Sequence, residues 1–111
     1  MRYAQADILL VSLAFSSQTG IKRRPVMVAY DSGDDDILVA PISSHGGRTS
    51  FDVTVAQWQS SGLRLPSVVR VDKLATVEKS AVIRPLGRIV PSDWANVRAA
   101  LQRLLETILP D

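Results

Sequence analysis

Two short stretches of this 111-residue chain carry side chains suited to chemistry on an anion. The first is Lys22-Arg23-Arg24, three consecutive cations that run directly into Pro25 and the apolar Val26-Met27-Val28. A guanidinium presents a rigid fork of donors matched to phosphate oxygens, and it stays protonated at any working pH. Held at the entrance of a strand, such a group is placed more firmly than on a free loop. The same run is equally readable as a solvated loop, and nothing local decides between the two. The second stretch is Ser43-Ser44-His45-Gly46-Gly47. It offers hydroxyls, the only histidine, and glycines that let backbone approach a ligand closely. Its plain alternative is a polar exit from a strand. Ser43 and His45 lie two apart at a loop, and the chain has no Gly-x-Ser-x-Gly elbow, which disfavours a hydrolase triad. The Asp34-Asp35-Asp36 run matches no calcium loop and has no second acidic cluster to complete a site. A solvated turn is expected there, and no metal.

The elements that must position these groups are short strands. Asp7 to Ala14 is apolar and β-compatible, and Phe15 to Arg23 reads as a polar loop. Pro25 to Tyr30 reads as a strand, with proline tolerated at its first residue. Asp31 to Asp36 is a turn that joins it to Ile37–Ile42 as a hairpin. After a second polar loop, Ser43 to Thr49, strands follow at Ser50–Val55, Val68–Leu74 and Ile83–Ile89. If the hairpin strands pair, the start of the first lies beside the end of the second. Arg24 and Ser43 then meet at one sheet edge, with the Phe15–Arg23 loop able to fold over them. The end of the chain is different. Ser92 is a candidate N-cap, Asp93 suits the first turn, and Pro110 terminates the helix. Trp94, Val97, Leu101, Leu104, Leu105 and Ile108 recur at helical spacing, so one helix face is expected to lie on the strands. The pattern implies a small antiparallel barrel or sandwich with a C-terminal helix.

Length and composition bound the rest. The chain is read as one domain, residues 1–111, able to bury roughly two-thirds of its unfolded surface. Its longest apolar run, Ile8 to Phe15, is too short for a bilayer, which needs about 20 residues. Asp7 stands where a secretion signal would be apolar, and the absence of cysteine fits a reducing cytoplasm. A net charge of +2 does not by itself demand nucleic acid. The clustering of cations at Lys22–Arg24 can still focus an anionic ligand.

The order of several motifs then resembles the MazF/PemK toxins of type II toxin–antitoxin systems. These are an "A-D-I" opening strand, a Ser/Gln/Gly loop, "R-R-P-V-M-V" and "V-A-P-I-S-S". "G-L-R-L-P-S-V-V-R-V-D-K-L-A-T-V", "P-L-G-R-I" and the closing helix follow in the same order. The resemblance covers essentially the whole chain. It implies an SH3-like β-barrel with a C-terminal helix, acting as a homodimer bound by a cognate antitoxin. It also implies a metal-free, cofactor-free endoribonuclease that cuts single-stranded RNA, often mRNA, to 2′,3′-cyclic phosphate and 5′-hydroxyl ends. The nucleophile is then the RNA's own 2′-hydroxyl, which agrees with the lack of a protein nucleophile.

Carried onto this sequence, the catalytic pair is Arg24 and Ser43, the latter at a position where threonine is usual. Gln18, Lys22, Arg23, Ser44 and His45 are the residues expected to contact RNA. A Ser-Glu-Gln segment common in the family's first loop is here Ser16-Ser17-Gln18, so its acid is missing. Two other readings share the fold. CcdB toxins, which poison DNA gyrase without catalysis, resemble this barrel but use residues at the end of the last helix, typically a tryptophan. Here Trp94 begins the helix and the chain ends Ile108-Leu109-Pro110-Asp111. The other is an inactive relative that serves only as an interaction module.

Overall fold

The computed structural model describes residues 1–14 and 21–111, apart from the side chain of Ala14. Seven strands and one helix follow one another. They are β1 (Asp7–Ala14), β2 (Ile21–Tyr30), β3 (Asp36–Ser43), β4 (Asp52–Val55), β5 (Ser67–Arg70), β6 (Ala75–Glu78), β7 (Val82–Arg88) and α1 (Pro91–Ile108). Short 3-10 turns at Val71–Lys73 and Lys79–Ala81 flank β6. All pairings are antiparallel, in the spatial order β4-β5-β3-β2-β1-β7, with β6 added to β3. No pairing joins β4 to β7 among the described residues, so the bent sheet is left open rather than closed into a barrel.

β3 is the branch point. Its start, Asp36–Val39, pairs with β6, while its last two residues, Ile42 and Ser43, pair with β5. Alternation along the strands feeds two cores. Ile8, Met27, Ala40, Ile42, Val53, Val55 and Val69 face one side, where Val97 and Ala100 of α1 cover them. Leu9, Val11, Val26, Val28, Ile37, Val39 and Val77 form the second core on the other side. The segment before β5 crosses β7 at Gly62 and Gly87. A Cβ at either would come within 2.1 Å of the opposite carbonyl oxygen, so only glycine fits at both.

Several sequence expectations are corrected. The Lys22–Arg23 segment is strand, not loop: β2 starts at Ile21 because residues 21–24 pair with the outer half of β1. The expected Val68–Leu74 strand is β5 followed by a 3-10 turn, and β6 was not expected at all. The strand expected from Ser50 begins at Asp52, and the last strand runs Val82–Arg88. Helix α1 begins at Pro91, capped by Val90 with no side-chain bond, so Ser92 is inside the helix. Asp93 does more than face the helix dipole. It is buried and accepts the Ala56 and Gln57 amides at 3.2 and 2.9 Å, which ties the helix start to the segment after β4. Leu105 and Ile108 are exposed, because the helix outruns the sheet it packs on.

Candidate active site

The β2–β3 hairpin places Arg24 and Ser43. Its register pairs Val26 with Pro41, Met27 with Ala40 and Val28 with Val39. Continued outward by two residues, it sets Arg24 level with Ser43. Beyond Ser43 the row goes on, because Ser43 pairs with Val68 and Val68 with Thr54. Thr54, Val68, Ser43 and Arg24 thus form a line across β4, β5, β3 and β2. Three strand spacings make this line about 14 Å long. Strand alternation puts all four on the face opposite the helix, since their neighbours Val26, Ile42, Val53 and Val69 divide accordingly between the two cores. Arg24 and Thr54 are exposed, while Ser43 and Val68 are half-buried. The pairing of β2 with β3 itself ends at Val26 and Pro41, so the meeting of Arg24 and Ser43 expected from the sequence is an extension of this register and not a paired position.

The other candidates divide. Lys22 has the same strand parity as Arg24, whereas Arg23 has the opposite parity and lies on the other face. His45 is exposed and contributes backbone: its amide donates to Ser43 Oγ at 3.0 Å, and its carbonyl accepts from that hydroxyl at 3.3 Å. This local turn fixes where the Ser43 oxygen sits. Ser44 lines the cleft described next. Gln18, with the rest of Phe15 to Gly20, lies outside the described residues.

Ser43 also forms one wall of an open cleft of about 370 Å³, with Ser44, Gly46, Thr54, Trp58, Ser67 and Val68 among its other walls. Gly46 sits so close to Val68 that a Cβ there would fall 2.5 Å from the valine side chain, so the glycine lets the loop lie against β5. Sequence reasoning missed Thr54, Trp58 and Ser67. The alternation of Asp52-Val-Thr-Val55 already marks Thr54 as outward-facing, but nothing in the sequence brings Trp58 to it. Among the described residues no three His, Asp or Glu side chains gather as metal ligands, and no helix is long and apolar enough to cross a membrane.

An antiparallel sheet left open, with one C-terminal helix packed on it, is the fold this chain shares with solved toxins of the MazF type. The chain superposes on Mycobacterium tuberculosis toxin MazF-mt6 with a TM-score of 0.74 at 22% identity, covering 90% of this chain and 96% of that one. An endoribonuclease from a mycobacterial species, solved with its cognate antitoxin, gives 0.78 at 15% identity over 98% and 100% of the two chains. The MazE–MazF complex of Deinococcus radiodurans gives 0.72 at 21% identity, over 91% and 94%. At such identities the likeness is one of fold. No curated protein matches the chain in sequence. Residues 4–105 match the PemK-like, MazF-like toxins of type II toxin–antitoxin systems, and the chain belongs to that family.

Proposed function

We propose that this protein is the toxin of a toxin–antitoxin pair and cuts single-stranded RNA without a metal. The observation that supports the reading is the β2–β3 register, which when extended by two residues sets Arg24 level with Ser43 on the face opposite the helix, in a chain of this family. The reaction is a transesterification. The RNA 2′-oxygen attacks its adjacent phosphorus and gives its proton to solvent water. The bond to the 5′-oxygen breaks, and that oxygen takes up a proton, which Arg24 can pass to it and solvent then restores. The products are a 2′,3′-cyclic phosphate and a 5′-hydroxyl. Arg24 offsets the charge that builds on the phosphoryl oxygens. An ordinary guanidinium is a poor base, so its share in proton transfer is as donor to the leaving oxygen. Ser43 positions a phosphoryl oxygen by turning its proton to it from the His45 carbonyl, a long bond at 3.3 Å, while its own oxygen stays held by the His45 amide. Lys22, Arg23, Ser44 and His45, together with Gln18, are assigned to RNA contact, although by strand parity Arg23 lies on the opposite face of β2 from Lys22 and Arg24.

The mycobacterial endoribonuclease was solved with its antitoxin, and the Deinococcus protein as MazE–MazF. We extend this to a cognate antitoxin here, and to a homodimer acting on mRNA in the cytoplasm. Purified protein incubated with single-stranded RNA in EDTA should yield cyclic-phosphate ends. Loss of cleavage with EDTA, or full activity in Arg24→Ala, would overturn the reading. A gyrase-dependent DNA break with intact RNA would favour the CcdB-like alternative.

A further inference from the structure

The cleft beside Ser43 differs chemically from the row that leads to it. Among the described residues no charged side chain lines it, so it is not built for a phosphate. It offers an aromatic ring and hydroxyls instead. Trp58 is half-buried, packed against the core below, and lines the cleft with what remains. A ring held that way is a rigid stacking surface, and every nucleobase has a π-face to set against it. Ser44, Thr54 and Ser67 add hydroxyls, and the volume falls within the roughly 300–1,000 Å³ of small-ligand pockets.

One hydroxyl has a direction. Ser67 Oγ donates its proton to the Leu65 carbonyl at 2.8 Å, and while that bond holds its remaining capacity is as an acceptor. An acceptor set against the 4-position of a pyrimidine or the 6-position of a purine favours the amino group of cytosine or adenine there over the carbonyl of uracil or guanine.

We propose that this cleft is a base-recognition pocket: Trp58 stacks one nucleobase of the bound strand, and Ser67 selects a base with an amino group. The proposal rests on the ribonuclease reading for its substrate. With the phosphate at Arg24 and Ser43, the pocket would hold the base next to the cut. Sequence preference would then come from β4, β5 and the segment between them, as well as from loops.

The chain has two tryptophans, so Trp94→Phe leaves Trp58 as sole reporter. Titrating that variant with AMP, CMP and UMP should quench its fluorescence, with AMP or CMP binding about tenfold tighter than UMP, the worth of one good polar contact. Ser67→Ala in the same background should erase that difference. On a randomised single-stranded RNA, Trp58→Ala should lower cleavage of the preferred motif about tenfold and flatten preference at one position, and Trp58→Phe should retain most of both. Trp58→Phe also guards against a variant that fails to fold. Equal or absent quenching by the three nucleotides, with an unchanged cleavage pattern in Trp58→Ala, would overturn the pocket and leave the ribonuclease intact. Selective quenching by a protein that cuts no RNA would uphold the pocket and sink the ribonuclease. A shift of Trp58→Ala from dimer to monomer in light scattering, with base preference kept, would mark the cleft as an interface between copies and also overturn the proposal.

Discussion

At its turn, the β2–β3 hairpin buries Asp31 and satisfies it from several directions; at its open end it carries Arg24 and Ser43 to the surface. The Asp31 carboxylate accepts the Tyr3 amide at 2.8 Å and the Gly33 amide at 2.7 Å, and it pairs with Lys79 Nζ at 3.1 Å. Lys79 also donates to the Met1 carbonyl and, through its amide, to the Asp35 carbonyl. The turn end therefore ties together the N-terminal segment, the hairpin and the 3-10 turn after β6. Around Ser43 the lining is uncharged and open to solvent. A polar group that is buried and fully bonded inside the protein rigidifies the fold. Groups at a solvent-facing cleft can exchange the bonds they make, as Ser43 makes to His45, for bonds to a ligand. Changes at the two ends should accordingly separate into losses of stability and losses of activity.

The largest effect expected at the open end is that of Arg24→Ala. Removing one group that stabilises transition-state charge costs about 10²–10³ in rate. RNA cleavage should fall by that much while the thermal midpoint stays close to the parent's. A variant that unfolds early would place Arg24 with the structural groups and break the comparison.

Asp93 sharpens it from the other side. It lies near the cleft, holding the Ala56 amide, yet it is buried and bonded like Asp31. Asp93→Ala leaves two amides without their acceptor and should cost about 2 kcal/mol in urea unfolding. Cleavage per folded molecule should be unchanged. If activity collapses with stability intact, nearness to the cleft decides a residue's role, and bonding does not.

Ser43→Ala should have a smaller consequence, about tenfold in cleavage, the value of one hydrogen bond near 1.4 kcal/mol. Ser43→Thr keeps the oxygen and adds a methyl that narrows its rotamers, so it should match or exceed the parent. A threonine variant as slow as the alanine one would show that the hydroxyl is not the working group.

How much of this was legible in the sequence follows from which forces set each element. The hairpin was legible because an acidic turn lies between two apolar segments, but its register at the open end also depends on an irregularity between Val28 and Tyr30 that the pattern does not show. The start of β2 was not legible. Three cations read as a loop, and only pairing with the outer half of β1 makes residues 21–24 a strand. β6 has a single buried residue, Val77, too little to announce a strand by pattern. The cleft was beyond reach because it depends on β3 changing partners from β6 to β5. That change follows from tertiary packing and leaves no local mark. Asp93 looked like a helix-dipole residue since its bonding partners lie more than thirty positions away.

The smallest expected effect is the pH response of the closed end. The Tyr3 amide, helped by the Gly33 amide and Lys79 and opposed by burial, holds the Asp31 carboxyl down to about 2 from 3.8. The folded state thus binds its proton less readily than the unfolded chain does. The contribution of Asp31 to stability is full above about pH 4 and is lost as pH falls through about 2. Asp31→Asn keeps the shape but loses one of the two oxygens that accept the Tyr3 and Gly33 amides, is a weaker partner for Lys79, and does not titrate. It should be less stable than the parent at neutral pH, and the gap should close between pH 4 and 2, as urea midpoints across that range would record. Cleavage at neutral pH should be that of the parent. A gap that stays constant down to pH 2 would mean that the carboxylate's charge is not what locks the turn, and the contrast between the two ends of the hairpin would then rest on geometry alone.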